Sequence, residues 1–462
     1  MIFKDTIAAI ATPPGIGGIG VIRISGPDAR DMAFKIFRPL PTEKLRSHHL
    51  YHGDIISAET NKPIDEVMIA FFRGPHSYTG EDSLEISCHG GPFVIRSVLE
   101  EVFKAGARPA DHGEFTKRAF LNNRIDLAQA EAVNDLILAQ TSQGAQLALS
   151  HLKGNLSGIL EGIREGLIEL LSQIEASIDF TEEDGFIEED KEQQVALLLS
   201  KTREKIASLL ATYRYGRIRR EGLSVVIAGR PNVGKSSLLN RLLGEKRAIV
   251  SAIPGTTRDF IEEIADIDGI PVRLTDTAGL RMPQDEIERE GIALLKEKLD
   301  HADAVLFLLD GSEELTAEDK QLALKIADKP LVLAINKSDL PQRLAEKTLN
   351  SLFTGSNATP VKISAKYGNG MDSLVSAIRR FALETEAAKS FLTTISHLHQ
   401  KVSLEKANEC LMRAADGHQK GLSPELIALE IREALDHIGE ITGKTTTNDI
   451  LERIFSKFCI GK

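Results

Sequence analysis

The hydrophobic period changes three times along the chain. Residues 1–120 alternate short apolar runs, at 6–11, 20–24, 67–72 and 84–87, with Gly/Pro turns. Runs of that length bounded by turn formers predict strands, and the whole segment reads as α+β. Pro13, Pro14, Gly15, Gly17 and Gly18 predict a tight loop between the first two strands. From about residue 121 the spacing turns helical: Ile163, Leu167, Leu170, Leu171, Ile174 and Ile178 trace one face. The acidic stretch 182–192 predicts a loop and a helix start. Residues 220–382 alternate strand-like and helical patterns, as a parallel sheet with crossover helices does. After 382 only helical patterns return, and Ser423 followed by Pro424 marks one helix start. The pattern predicts a multidomain chain: an α+β domain at 1–120, an all-α helical domain at 121–219 that resumes at 383–462, and an α/β domain inserted at 220–382. A domain inserted in this way can pass a ligand-driven motion to the helical body.

The inserted domain carries the chemistry. Gly229 to Ser236 fits G-x-x-x-x-G-K-[ST], after an apolar run and before a helical one. That context predicts a phosphate-binding loop, with backbone amides and a helix N-terminus facing phosphate oxygens. Asn232, Val233, Gly234, Lys235, Ser236 and Ser237 would cradle the nucleotide. Lys235 would reach the β- and γ-phosphates, and Ser236 would ligate Mg²⁺. Asp276, Thr277, Ala278 and Gly279 follow a strand-like segment and would meet Mg²⁺ and the γ-phosphate. Asn336, Lys337 and Asp339 follow another. A carboxylate there can accept from both N1–H and the 2-amino group of guanine, a donor pair that adenine lacks, so the expected nucleotide is GTP. Ser364, Ala365 and Lys366 would pack against the base, and Thr257 is the candidate second Mg²⁺ hydroxyl. Each short motif is weak alone; five in the right order, each in its expected context, make a Ras-like P-loop GTPase.

The catalytic device departs from the commonest one. Many small GTPases place Gln after the Asp-x-x-Gly segment to orient water; here Leu280 stands there. Asn232 and the 251–256 segment offer oxygens that can cage a monovalent cation. Glu288 is either a water-positioning carboxylate or a solvated loop charge. Cys459, four residues from the end, is either a nucleophile or ligand contact, or part of a frayed tail.

Composition narrows the setting. No 18-residue apolar run predicts a membrane span, and the start Met1, Ile2, Phe3, Lys4, Asp5 lacks a signal-peptide pattern. Cys88, Cys410 and Cys459 are few and scattered, which suits a reducing cytoplasm. A net charge of −11 means that a nucleic-acid partner needs a local basic surface. The best candidate is Arg214, Arg217, Arg219 and Arg220, with a solvated linker as the alternative.

Longer segments add a resemblance. Residues 11–20, Tyr78 to Asp82, Cys88 to Pro92, Gly113 to Asn122, Ile125 to Glu131, the GTPase motifs and the terminal Cys-x-Gly-Lys together resemble the MnmE (TrmE) family of tRNA-modification GTPases, within the TrmE–Era–EngA-like GTPases. The likeness runs in order over nearly the whole chain. It implies that 1–120 is a tetrahydrofolate-binding and dimerisation domain, taking 5-formyl- or 5,10-methylene-tetrahydrofolate as one-carbon source. It implies a homodimer that works with the FAD protein MnmG. Together they add an aminomethyl or carboxymethylaminomethyl group to C5 of the wobble uridine of certain tRNAs. By motif position, Arg23, Glu85, Arg124 and Lys462 are the implied folate contacts. Asn232, Ser251, Ile253 and Thr256 are the implied K⁺ ligands, and Ala252, Pro254, Gly255 and Thr257 complete the nucleotide-contacting segment. Glu288 is the implied catalytic carboxylate for K⁺-dependent GTP hydrolysis. A rival reading, a pure switch whose outer domains only bind partners, is opposed by residues 1–120 and Cys459.

Overall fold

The computed structural model describes residues 4–39, 45–179, 188–246, 262–276, 299, 302–345, 349, 359–383 and 394–462. The chain forms two compact units, residues 1–134 with 436–462, and residues 135–435.

In the first unit, strands β1 (Ile7–Ile10), β2 (Ile19–Ser25), β3 (Phe37–Arg38), β4 (His49–Ile56), β5 (Pro63–Phe72), β6 (Ser83–His89) and β7 (Arg108–Pro109) form one sheet in the order β3-β4-β5-β6-β2-β1-β7. Strands alternate faces. Ile22, Ile24, Leu84, Ile86 and Ile69 therefore share one face and pack with Met32, Val98 and Val102 from helices Ala29–Ile36 and Pro92–Lys104. Arg23 and Glu85, directly opposed in the β2–β6 register, project from the other face. The expected strands at 6–11, 20–24, 67–72 and 84–87 all occur. Strand β4 was not expected: its sequence, His-Leu-Tyr-His-Gly-Asp-Ile-Ile, has no clean apolar alternation.

The chain end is packed into this unit. Helix Asn448–Phe455 carries Leu451 and Phe455, which join Phe458, Leu127 and Ala130 in one buried cluster. Gly113, at a φ of 65°, lets the tail come close: a Cβ there would lie 2.7 Å from Phe455 O.

In the second unit, helix Asn155–Asp179 buries Leu156, Leu160, Ile163, Leu167, Leu170 and Ile174, a 3.6-period stripe, while Leu171 and Ile178 are half-buried at its margin. Helix Glu188–Glu221 leads through Gly222 into the nucleotide-type sheet. There β8 (Leu223–Ala228), β9 (Glu262–Ile267), β10 (Ile270–Asp276), β11 (Ala304–Asp310), β12 (Leu331–Asn336) and β13 (Val361–Lys362) run in the order β13-β12-β11-β8-β10-β9. Every pairing is parallel except β9 with β10. Apolar clusters cover both faces, as a parallel sheet needs.

The basic run does not present one continuous basic face. It occupies the last turns of helix Glu188–Glu221, where helical geometry distributes the arginines around the axis. Arg217 pairs with Asp303, and Arg220 meets His397. Arg219 is 4% exposed, its guanidinium 3.9 Å from the Tyr215 ring centre. Only Arg214 is exposed, and it donates to Phe381 O at 3.3 Å. These arginines fasten the helix to its surroundings within this unit.

Candidate functional site

The nucleotide motifs gather at the carboxyl ends of parallel strands, where open α/β sheets bind ligands. The loop after β8 turns into helix Lys235–Lys246 through Asn232 (φ 65°) and Gly234 (φ 100°). Gly234 is required for closeness as well as for its φ, because a Cβ would lie 2.3 Å from Asn336 Nδ2. That amide donates to Val233 O at 2.7 Å, and Asn336 Oδ1 accepts from Ala365 N at 2.9 Å. One buried Asn side chain thus joins the phosphate loop to the base-side segment. Lys235 Nζ donates to Gly229 O (2.7 Å) and Arg230 O (3.0 Å), which keeps the ammonium within the loop. Ser236 and Ser237 stand exposed on the first turn, so Ser236 can offer its hydroxyl to Mg²⁺.

Ser364 Oγ donates to Asp339 Oδ1 at 2.6 Å, which holds in position the carboxylate expected to face a base. Lys337, at a φ of 63°, pairs with Asp310 Oδ2 at 2.6 Å. Burial would raise the Asp310 pKa, but Lys337 and two bonds from Ser312 outweigh it and hold the carboxyl below its ordinary value. Sequence reasoning passed over Asp310. Register sets its place: β11 ends in Asp310 directly opposite Asn336 of β12, and no local pattern in the sequence marks that pairing. Lys366 is exposed beside Tyr367.

Several expected residues lie outside the described residues: Ser251, Ala252, Ile253, Pro254, Gly255, Thr256, Thr257, Thr277, Ala278, Gly279, Leu280 and Glu288. The backbone of Asp276 ends β10.

A second constellation lies in the other unit. Nε and Nη2 of Arg23 donate to Glu85 Oε1 at 3.0 and 2.9 Å, and Nη1 donates to Gly461 O at 3.3 Å. The guanidinium lies 5.0 Å from the Tyr78 ring centre and 5.9 Å from that of Phe115. Tyr78 O–H bonds Thr116 Oγ1 at 2.8 Å; its pKa is raised, chiefly by burial. Glu85 is half-buried rather than buried, so its carboxylate can meet a ligand. Arg124 is exposed and donates to Ser77 O at 3.2 Å, next to Tyr78. The tail closes the group. Gly461 (φ 93°) admits Ile10 O to within 2.4 Å of where a Cβ would be. Burial and Arg23 depress the Lys462 pKa, while Glu85 and Cys459 act in the opposite direction. Cys459 is exposed, and its carbonyl accepts from Gly113 N at 3.4 Å and Lys462 N at 3.3 Å. An arginine, a carboxylate, an aromatic face and a half-buried amine suit an aromatic heterocycle with an acidic tail.

The family segments also supply a charged scaffold beside this group. Arg118 is fully buried and bonds Asp5, Glu81 and Glu114. Glu81 also accepts from Ser25 Oγ at 2.8 Å. Sequence reasoning missed this role because arginine is seldom fully buried.

Known proteins match the sequence across the segments that carry both constellations. A family model described as "MnmE helical domain" matches residues 127–459, and one described as "GTP-binding protein TrmE N-terminus" matches 6–124. Proteins named tRNA modification GTPase MnmE from Syntrophus aciditrophicus, Natranaerobius thermophilus and Heliobacterium modesticaldum are 48%, 43% and 45% identical to this chain. Each alignment covers 99% of this chain, and 100%, 100% and 99% of the respective relatives. With a phosphate loop, the Asp339–Ser364 pair and the tail-closed group of Arg23 and Glu85 in one sequence that aligns end to end with these proteins, the chain belongs to the MnmE (TrmE) family of GTPases.

Proposed function

We propose that this protein hydrolyses GTP and, with the FAD protein MnmG, installs an aminomethyl or carboxymethylaminomethyl group on C5 of the wobble uridine of certain tRNAs. The observation that carries the reading is the end-to-end likeness to proteins named tRNA modification GTPase, at 48% identity in one case. The two constellations give it chemical content.

In the nucleotide domain, Lys235 neutralises phosphate charge and Asp339 reads guanine, held by Ser364. Ser236, Thr257 and the Asp276 segment would hold Mg²⁺, which supplies charge neutralisation at the phosphates when bound. Asn232 and the oxygens of Ser251, Ile253 and Thr256 would hold K⁺, and Glu288 would orient water. In the other unit, Arg23, Glu85, Arg124 and Lys462 would bind a tetrahydrofolate that supplies the carbon unit. Charge-assisted bonds to such groups contribute roughly 1.5–3 kcal/mol each. Cys459 stands near enough to Lys462 to act on its charge, which supports a place for the thiol at that site. The domains are taken as 1–120, 121–219 with 383–462, and 220–382; the working form is a cytoplasmic homodimer. No helix among the described residues is long and apolar enough to cross a membrane.

Nucleoside mass spectrometry of tRNA from cells lacking this chain tests the reading. The C5-modified wobble uridine disappears and returns with the wild-type gene. Its persistence in the deleted cells would refute the function. Full modification in cells carrying only Cys459→Ser would remove the thiol from the chemistry.

A further inference from the structure

Arg23 and Arg124 are long, flexible side chains. A site that holds such groups in place before a ligand arrives avoids the cost of ordering them on binding. The segment 77–81, between β5 and β6, touches both. Arg124 Nε donates to Ser77 O at 3.2 Å, and a Cβ on Gly80, at a φ of 80°, would lie 3.1 Å from Arg124 Cγ. Between these two contacts stands Tyr78, whose ring centre is 5.0 Å from the guanidinium carbon of Arg23.

The segment is itself anchored. Thr79 Oγ1 and Ser25 Oγ share a hydrogen bond of 2.7 Å, and Asn122 Nδ2 donates to Thr79 O at 2.9 Å. Ser77 Oγ donates to Glu81 O at 2.5 Å, and the Glu81 carboxylate pairs with the buried Arg118. The far end of the Tyr78 ring is tied as well: its hydroxyl bonds Thr116 Oγ1 at 2.8 Å, and Thr116 is 0% exposed. Held at its backbone and at its tip, the ring cannot swing.

A guanidinium is a rigid planar fork, so the surface it lies on helps to fix where its N–H groups point. From the Tyr78 ring, Nε and Nη2 of Arg23 reach Glu85 Oε1, and Nη1 reaches Gly461 O. Glu85 Oε2 has no partner among the described residues. One ring thus orients, through one guanidinium, a carboxylate with an oxygen to spare and a carbonyl of the tail.

Building on the folate reading, we propose that Tyr78 is a positioning residue for tetrahydrofolate binding: it holds Arg23 in the orientation that keeps Glu85 Oε1 occupied and leaves Oε2 for an N–H group of the ligand. Tyr78 acts through Arg23, so its contribution exists only while Arg23 is present.

The test is the calorimetric affinity of the full chain for 5-formyl-tetrahydrofolate. Tyr78→Leu removes the ring and weakens binding roughly 2- to 30-fold, the range for a cation lying on an aromatic face. Tyr78→Phe keeps the ring and recovers most of that affinity. In an Arg23→Ala background, Tyr78→Leu causes no further loss, whereas an effect through the stability of the segment alone would persist there. If Tyr78→Leu does not fold, as judged by thermal melting, Tyr78→Met takes its place in both backgrounds. Wild-type affinity in the ring-less variant, or an equal loss with and without Arg23, would overturn the role of Tyr78 and leave the folate site standing. Absence of folate binding by the wild type would sink the folate reading and this inference with it.

Discussion

Replacing Arg118 by Met should unlock the first unit without touching the nucleotide domain. The guanidinium is 0% exposed. It donates to Asp5 O and Asp5 Oδ1 at 3.0 Å, to Glu81 at 3.2 and 3.3 Å, and to Glu114 Oε1 at 3.0 Å. Met fills much of the volume but leaves the carboxylates. Asp5 and Glu114 keep Arg108, at 2.7 and 2.6 Å. Glu81, 12% exposed, loses its ion-pair partner. Breaking a buried pair costs about 3–5 kcal/mol, and the retained Arg108 contacts favour the lower end; about 3 kcal/mol is roughly 100-fold in the opening equilibrium. Hydrogen exchange followed by mass spectrometry on the full chain reads this locally. Amides of β1, β2 and β6 should exchange about 100-fold faster, and those of β8, β11 and β12 at the wild-type rate. The pH dependence has a fixed sign. Burial would raise the Glu114 pKa, but Arg108, the Asp111 amide and Arg118 hold it below 4.5. Its stabilisation is present above pH 4.5 and is lost as pH falls through the folded value. The gap between wild type and variant therefore narrows in acid. Unchanged exchange in β1, β2 and β6 at neutral pH would refute the structural role of Arg118.

Three further outcomes concern the nucleotide domain. Gly234→Ala should weaken GTP binding at least tenfold in calorimetry, since its Cβ would meet Asn336 Nδ2 at 2.3 Å and its φ is 100°; wild-type affinity would mean the loop relaxes freely. GTP turnover should be well above its Na⁺ value in K⁺, and Asn232→Ala should erase the difference; equal rates in both salts for the wild type would dismiss the cation site. Glu288→Ala should lower kcat strongly with little change in GTP affinity, the mark of a transition-state role; unchanged turnover would return Glu288 to a solvated loop charge.

What could be read from the sequence depended on whether the physics was local. Strand β8 at Leu223–Ala228 and the helix start at Pro424 follow from apolar runs and caps, and both occur as expected. Asn336, Asp339 and Ser364 were legible as a motif set, and the structure brings them together. The partners of charged side chains were not legible. Arg219 looked like a surface charge because its neighbours in sequence are basic, yet helical rotation turns it inward. Arg118 and Asp310 depend on strands and helices far apart in sequence, and no local pattern signals such a pairing. The tail fell between these cases. Cys459 and Lys462 were readable as a motif, but their closeness to Arg23 rests on Phe455 and Phe458 packing into the cluster with Leu127.

The central claim is that the Arg23 and Glu85 group serves the same tRNA chemistry as the GTPase. Its most direct test is the wobble-uridine content, by nucleoside mass spectrometry, of deletion cells carrying Arg23→Ala, set beside the purified variant's GTP turnover and its calorimetric affinity for a stable formyl-tetrahydrofolate analogue. The account predicts wild-type turnover, folate affinity about 10- to 150-fold weaker from the loss of roughly 1.5–3 kcal/mol, and loss of the modified nucleoside. Wild-type folate affinity together with full modification would contradict it.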